Sequence, residues 1–198
     1  VGSTGVIGKT HIDAINQIDS CRLVGVNART QEPLRQQATE LGVKQYPTLD
    51  DVLADSEVDA VVIATPHPSH EEIALATAAA GKHLLIEKPL SVTPGEADRM
   101  VAAARAAGVK IGVTFNQRFR PQAQKMRALI DEGVVGEIYR TSMVNANFRT
   151  QDYYDRLAWR GTWGEEGGGA LLNQASTAST CSNGSRACPL RCLARSGR

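Results

Sequence analysis

Three clusters of residues carry the chemistry available to this sequence. Gly2, Gly5 and Gly8 open the first predicted helix, in the run VGSTGVIG at residues 1–8. Glycines at such a turn let the backbone bend tightly, admit a pyrophosphate to the backbone and pack a helix on a strand. The usual spacing is G-x-G-x-x-G. Gly5 and Gly8 fit its last two positions, and Ser3 stands at the first with Gly2 beside it. Alone, the run also fits an ordinary strand–helix turn. Roughly twenty residues further on, an acid would accept hydrogen bonds from the ribose 2′-hydroxyl of NAD. Here the chain reads VNART, residues 26–30. Ala28 at the acidic position leaves room for a 2′-phosphate, and Arg29, followed by Thr30, can grip one bidentately. NADP is therefore expected ahead of NAD; the other reading of Arg29 is a solvated loop charge. The third cluster sets Pro66 and His70 after one apolar run and Glu87-Lys88-Pro89 after the next. These are the carboxyl ends of predicted strands, where open α/β sheets bind ligands.

The elements that must position these clusters alternate regularly. RLVGVN (22–27), VDAVVIA (58–64), HLLIE (83–87) and VKIGVTF (109–115) read as strands. The uninterrupted apolar run at 58–64 is expected to be buried on both faces, as in a parallel sheet. Amphipathic stretches lie between the strands: a first helix with Ile12, Ile15 and Ile18 on one face, then 31–42, 69–80 and 93–108. Gly42, Gly81 and Gly108 supply left-handed stops. Thr93, Pro94 and Glu96 form a capping box with proline at the first helical position. Alternation of this kind implies a doubly wound parallel sheet of Rossmann type. Its first strand is represented by Val1 alone, so the chain is read as truncated at its start. Beyond Asn116 come one helix (about 122–132), a long β run (137–148) and an irregular stretch rich in Trp and Gly, expected to begin an α+β domain with a largely antiparallel sheet.

ATPHPSHEEIALATAAAGKHLLIEKPLS (64–91), FNQRFRP (115–121) and WRGTWGEEGGGALLNQA (159–175) together closely resemble the Gfo/Idh/MocA family of NAD(P)-dependent oxidoreductases. The resemblance runs from Gly2 to Ala175. It implies a dinucleotide-binding domain over residues 1–118 and the start of a substrate and oligomerisation domain over 119–175. It implies that Lys88 sits between nicotinamide and substrate, hydrogen-bonds the reacting hydroxyl and helps to remove its proton. It places Ser3, Gly5, Val6, Ile7, Gly8, Ala28, Arg29 and Thr30 at the cofactor, with Thr65, Pro66, His67, His70, Glu87 and Asn116 in the same cleft. Arg118, Trp159, Arg160 and Trp163 would form the rim. Packing alone is the other reading of Trp163, and a hydrogen bond at a helix start the other reading of His70. The substrate is expected to be a sugar, cyclitol or related hydroxyl compound, and the whole protein a homo-oligomer. The alternative is a non-catalytic NAD(P)-binding regulator of the same fold.

After Ala175 the resemblance stops. The family continues as Ile-His-x-Leu-Asp on a helix, its His being the acid–base partner of the lysine; here those positions are Thr177 and Thr180. A reading-frame slip accounts for this. Codons for Ser176 onward can be chosen so that the neighbouring frame reads Ile-His-Gly-Leu-Asp, and an ACN threonine codon read one base early gives only Tyr, His, Asn or Asp. Residues 176–198 are accordingly expected to be out of frame and without fixed structure, and the chain to turn over poorly.

Composition bounds the rest. Net charge is +1 over 198 residues, so no global field recruits nucleic acid, and no apolar run approaches membrane-spanning length. Cys181, Cys188 and Cys192 match neither zinc-knuckle nor disulfide spacing, so no metal site is expected. Cys21 alone, with no signal-peptide pattern at the start, implies a cytoplasmic setting.

Overall fold

Three helices stop at a glycine that the sequence places for the purpose. Gly42, Gly81 and Gly108 take positive φ angles of 64°, 73° and 69°, a backbone region that costs glycine least. They close or follow α2 (Gln31–Leu41), α4 (His70–Ala79) and α5 (Pro94–Ala106) in a computed structural model. It describes residues 1–139, 148–156, 160–162, 166, 167, 169 and 171–175. Thr93 caps α5 through the expected capping box with Glu96, and Pro94 sits at its start. The remaining elements of this part are α1 (Val6–Ile15), β1 (Gly25–Asn27), β2 (Lys44–Tyr46), α3 (Leu49–Ala54), β3 (Ala60–Ile63), β4 (His83–Ile86) and β5 (Ile111–Val113).

All strand pairs are parallel. β1 pairs with β2 with Asn27 opposite Tyr46; β3 and β5 flank β4 with Ile63 and Val113 both opposite Ile86. Val1 joins the two sheets. Its nitrogen donates to the Val62 carbonyl at 2.7 Å, its carbonyl accepts from Ala64 at 3.0 Å, and the next residue, Gly2, donates to the Asn27 carbonyl at 2.9 Å. The order across the molecule is therefore β2-β1-Val1-β3-β4-β5, with a crossover between neighbouring halves, which is the doubly wound arrangement.

β2 and α3 carry little signal in the sequence. Both are short, and the signal for α3 is the Thr48–Asp51 capping box at its N-terminus. The expected double-sided burial of β3 needs correction. Val61 and Ile63, with Leu84 and Ile86 of β4, are buried in a core that includes Ile73 of α4 and Met100 of α5. On the other face Val62 is half-buried and Leu85 is 38% exposed. That face borders a cavity of about 490 Å³ lined by β1, β3 and the inner side of α1. Ile18 opens onto the same cavity, beyond the end of α1, and is exposed where a buried helical face was expected. No helix among the described residues is long and apolar enough to cross a membrane.

The chain divides into two units, Val1–Thr114 and Phe115–Arg198. The second holds a single-turn helix at Asn116–Phe119, α6 (Pro121–Asp131), α7 (Gln151–Asp155) and a wide turn at Leu171–Ala175. Of the β run expected over 137–148, residues 140–147 lie outside the described residues, as does the whole of 176–198.

Candidate functional site

The three glycines of the first turn do three different jobs. Gly2 has φ +78°, and a Cβ there would lie 2.7 Å from the Ala64 carbonyl oxygen. Gly8 has ordinary helical geometry, but a Cβ on it would meet Gly2 O at 2.4 Å and Ser3 Cα at 2.7 Å. Only a hydrogen lets α1 lie so close to the turn. Gly5, the residue that starts α1, would meet nothing nearer than Gly2 O at 3.5 Å, an ordinary contact. Its missing side chain relieves no clash within the protein; it keeps the space above the helix start open. The first-turn N–H groups of a helix have no acceptor within it and lie at its positive end. Residues Val6, 82% exposed, and Ile7 carry such groups here. An open cradle of amides suits a pyrophosphate.

Gly2, and not Ser3, has the left-handed backbone of the turn. The Ser3 side chain is buried, its hydroxyl donates to the Asn27 carbonyl at 3.2 Å, and its own carbonyl accepts from Gln37 Nε2 at 3.0 Å. At the end of β1, the Asn27 amide donates to the Tyr46 carbonyl at 2.8 Å. Ala28 is buried among Val26, Leu34 and Ala38, so its methyl group packs in the core. Arg29 and Thr30 are exposed, and Thr30 precedes α2 without capping it through its side chain.

A different architecture stands at the ends of β3 and β4. His70, expected to line the cofactor cleft, is fully buried. Its Nδ1 lies 3.0 Å from the Pro89 carbonyl and its Nε2 3.0 Å from the Thr65 carbonyl. The ring is a strut between the loop after β3 and the loop after β4, with no face left for a ligand. His67 is buried beside it, ring edge toward ring at 5.9 Å between centroids, whereas Pro66 is exposed. The Thr65 hydroxyl accepts from Ser69 at 2.8 Å. Lys88 is half-buried and precedes a cis proline, Pro89.

Glu87 is the hub of this region. Oε2 accepts the Lys88 backbone N–H at 3.1 Å, and Oε1 accepts from His11 Nε2 at 2.9 Å. Burial pushes the carboxyl pKa up, but hydrogen bonds from His11 and Thr114, the charge of His11 and the Lys88 N–H outweigh it, leaving the pKa below the usual carboxylate value. His11 was not singled out in the sequence. The signal was there: it follows Gly8 by three residues, so it shares the helix face that Gly8 presses on the turn. Helical side chains lean toward the N-terminus of their helix, which here points His11 at the strand ends.

In the second unit, Asn116 and Arg118 are exposed on one short turn, the Arg118 guanidinium 5.3 Å from the Phe115 ring centroid. Arg160 donates to the Tyr153 carbonyl at 2.8 Å and stacks 4.0 Å from the centroid of its ring. Glu166 is buried and accepts from Asn173 and from the Gly161 N–H, each at 2.6 Å. Trp159, Trp163, Thr177 and Thr180 lie outside the described residues. No group of three metal-ligating side chains occurs among the described residues.

A parallel doubly wound sheet, an open glycine turn at its first helix and polar side chains at its carboxyl edge define a dinucleotide-binding α/β domain. The profile of the oxidoreductase family with NAD-binding Rossmann fold, GFO_IDH_MocA, matches residues 1–115, and that of the GFO/IDH/MocA C-terminal domain matches residues 123–177. The chain belongs to this family of oxidoreductases. Myo-inositol 2-dehydrogenase of Thermotoga maritima is 32% identical to it over 67% of this chain and 40% of its own length. For 1,5-anhydro-D-fructose reductase of Ensifer adhaerens the figures are 36%, 69% and 40%. The solved WlbA dehydrogenase of Bordetella pertussis, in complex with NADH and UDP-GlcNAcA, superposes with a TM-score of 0.83 at 34% identity, over 93% of this chain and 53% of that one. The chain thus spans about half the length of these relatives or less.

Proposed function

We propose that this chain carries the cofactor-binding and lysine-bearing part of a dehydrogenase that transfers hydride between the C–H of a sugar, cyclitol or related hydroxyl compound and NAD(P). When bound, the nicotinamide supplies the hydride acceptor. Lys88 hydrogen-bonds the substrate hydroxyl and helps to take its proton as the C–H bond breaks. Gly5 and the start of α1 hold the pyrophosphate. Glu87 fixes the Lys88 backbone, and exposed Arg29 favours NADP over NAD. The observation that carries this reading is the half-buried Lys88, held through its own amide at the end of β4, in the same unit as the open glycine turn. The family resemblance puts an acid–base histidine where Thr177 stands, so turnover by this chain is expected to be low, and residues 176–198 are read as the product of a frame slip.

The experiment compares the 198-residue chain with a version whose residues from 176 onward are read in the restoring frame. Each is assayed for NAD and NADP reduction over myo-inositol, other polyols, 1,5-anhydro sugars and UDP-linked uronic acids. In whichever version turns over, Lys88→Met should lower kcat by about 10²–10⁴-fold while NADH affinity, read by fluorescence, stays within about threefold. Full turnover in Lys88→Met overturns the assignment. Cofactor binding without turnover in either version, across the panel, favours the non-catalytic binder instead.

A further inference from the structure

Lys88 is held through a chain of contacts that begins on a different element. His11 projects from α1, the helix that the glycine turn opens, and its Nε2–H donates to Glu87 Oε1 at 2.9 Å. The other oxygen of that carboxylate accepts the Lys88 amide at 3.1 Å. Both side chains of the pair are mostly shielded, each with 17% of its surface exposed, so water competes weakly for the bond. A carboxylate gripped on one oxygen cannot swing about its own side-chain torsions without giving up the second bond. The bridge therefore fixes Glu87, and Glu87 fixes the backbone from which Lys88 projects.

We infer that His11 is a positioning residue: through Glu87 it ties the helix of the pyrophosphate turn to the backbone amide of Lys88 and so sets where the lysine stands. This rests on the reading of Lys88 as the catalytic residue. His11 itself touches none of the reacting atoms. Its contribution is registration of two elements, α1 and β4, whose separate ends must serve one cofactor, and misplacement by about 1 Å can cost a hundredfold in rate. The Thr114 hydroxyl also reaches Glu87, but β5 carries no part of the glycine turn and cannot make this link.

Amide hydrogen exchange on the 198-residue chain tests the bridge without needing turnover. In His11→Ala, the Lys88 amide should exchange at least tenfold faster, while Leu84 and Ile86 in the body of β4 change less than twofold. His11→Gln, whose amide can still donate to the carboxylate, should restore protection to within about threefold of the wild type. Unchanged exchange at Lys88 in His11→Ala overturns the inference. Equal acceleration at Leu84, Ile86 and Lys88 also overturns it, because the histidine would then be supporting the fold at large. Lys88→Met keeps the backbone amide, so a bridge intact there with turnover also intact would fault the catalytic reading and leave the bridge standing.

Discussion

The two ends of the sheet's carboxyl edge are built on opposite plans. At the end of β1, the strand's own polar side chain turns inward. Asn27 is spent on Tyr46 and on the glycine turn, Ala28 is packed in the core, and only Arg29 and Thr30 face outward. At the ends of β3 and β4, side chains bridge separate elements: His70 spans the carbonyls of two loops, and His11 reaches Glu87 from α1. The first end can change its exposed residues without disturbing anything else. Such a place suits a choice between cofactors. The second cannot be altered at one position without releasing another, which suits the placing of a reacting group.

The glycine turn between the two ends gives the largest expected effect. Gly8→Ala should lower unfolding free energy by about 1–3 kcal/mol or more, since its Cβ meets backbone atoms that cannot give way. Gly5→Ala should leave stability within about 0.5 kcal/mol and instead weaken NADH binding at least tenfold. Urea unfolding beside a fluorescence titration separates the two. Equal loss of stability in both variants would mean that the cradle is closed and has no room kept for a ligand. A smaller effect is expected at the β1 end. Arg29→Ala should weaken NADPH binding by about tenfold, the usual worth of one charge-assisted contact, with NADH affinity and the urea midpoint unmoved. Equal loss for both cofactors, or none, removes the proposed NADP preference.

The smallest effect concerns acid. Glu87 has a folded-state pKa held below the usual value of about 4.5. Its contribution to stability is therefore fully present above that value and lost as pH falls through the lowered one. Glu87→Gln should flatten the fall in urea midpoint between neutral pH and acid, whereas Arg29→Ala should leave its slope alone. If both variants titrate like the wild type, the claimed difference between the two ends has no electrostatic part.

Much of this was legible in the chain. Capping signals and terminal glycines fixed the helices, because they act within a turn of where they stand. The run at 58–64 and HLLIE were legible as strands for the same local reason, and the tripeptide Glu87-Lys88-Pro89 marked the strand end. The sequence leaves His70 two readings, cleft lining or a hydrogen bond at a helix start, because its two carbonyl partners, on Thr65 and Pro89, meet only when β3 and β4 lie side by side. Ala28 reads alike in the sequence whether it makes room or fills it, and in the fold its methyl group packs in the core. His11 shows only its helix face in the sequence, because its partner lies 76 residues away.

The sequence by itself determined the order of elements, their caps and the residue types at the strand ends, since all of these depend on neighbours along the chain. Tertiary structure alone decided which glycine makes the turn, which histidines are buried and which one grips the carboxylate. Those outcomes depend on distances between elements, and a distance of that kind exists only once the strands have paired and α1 has closed against the glycine turn.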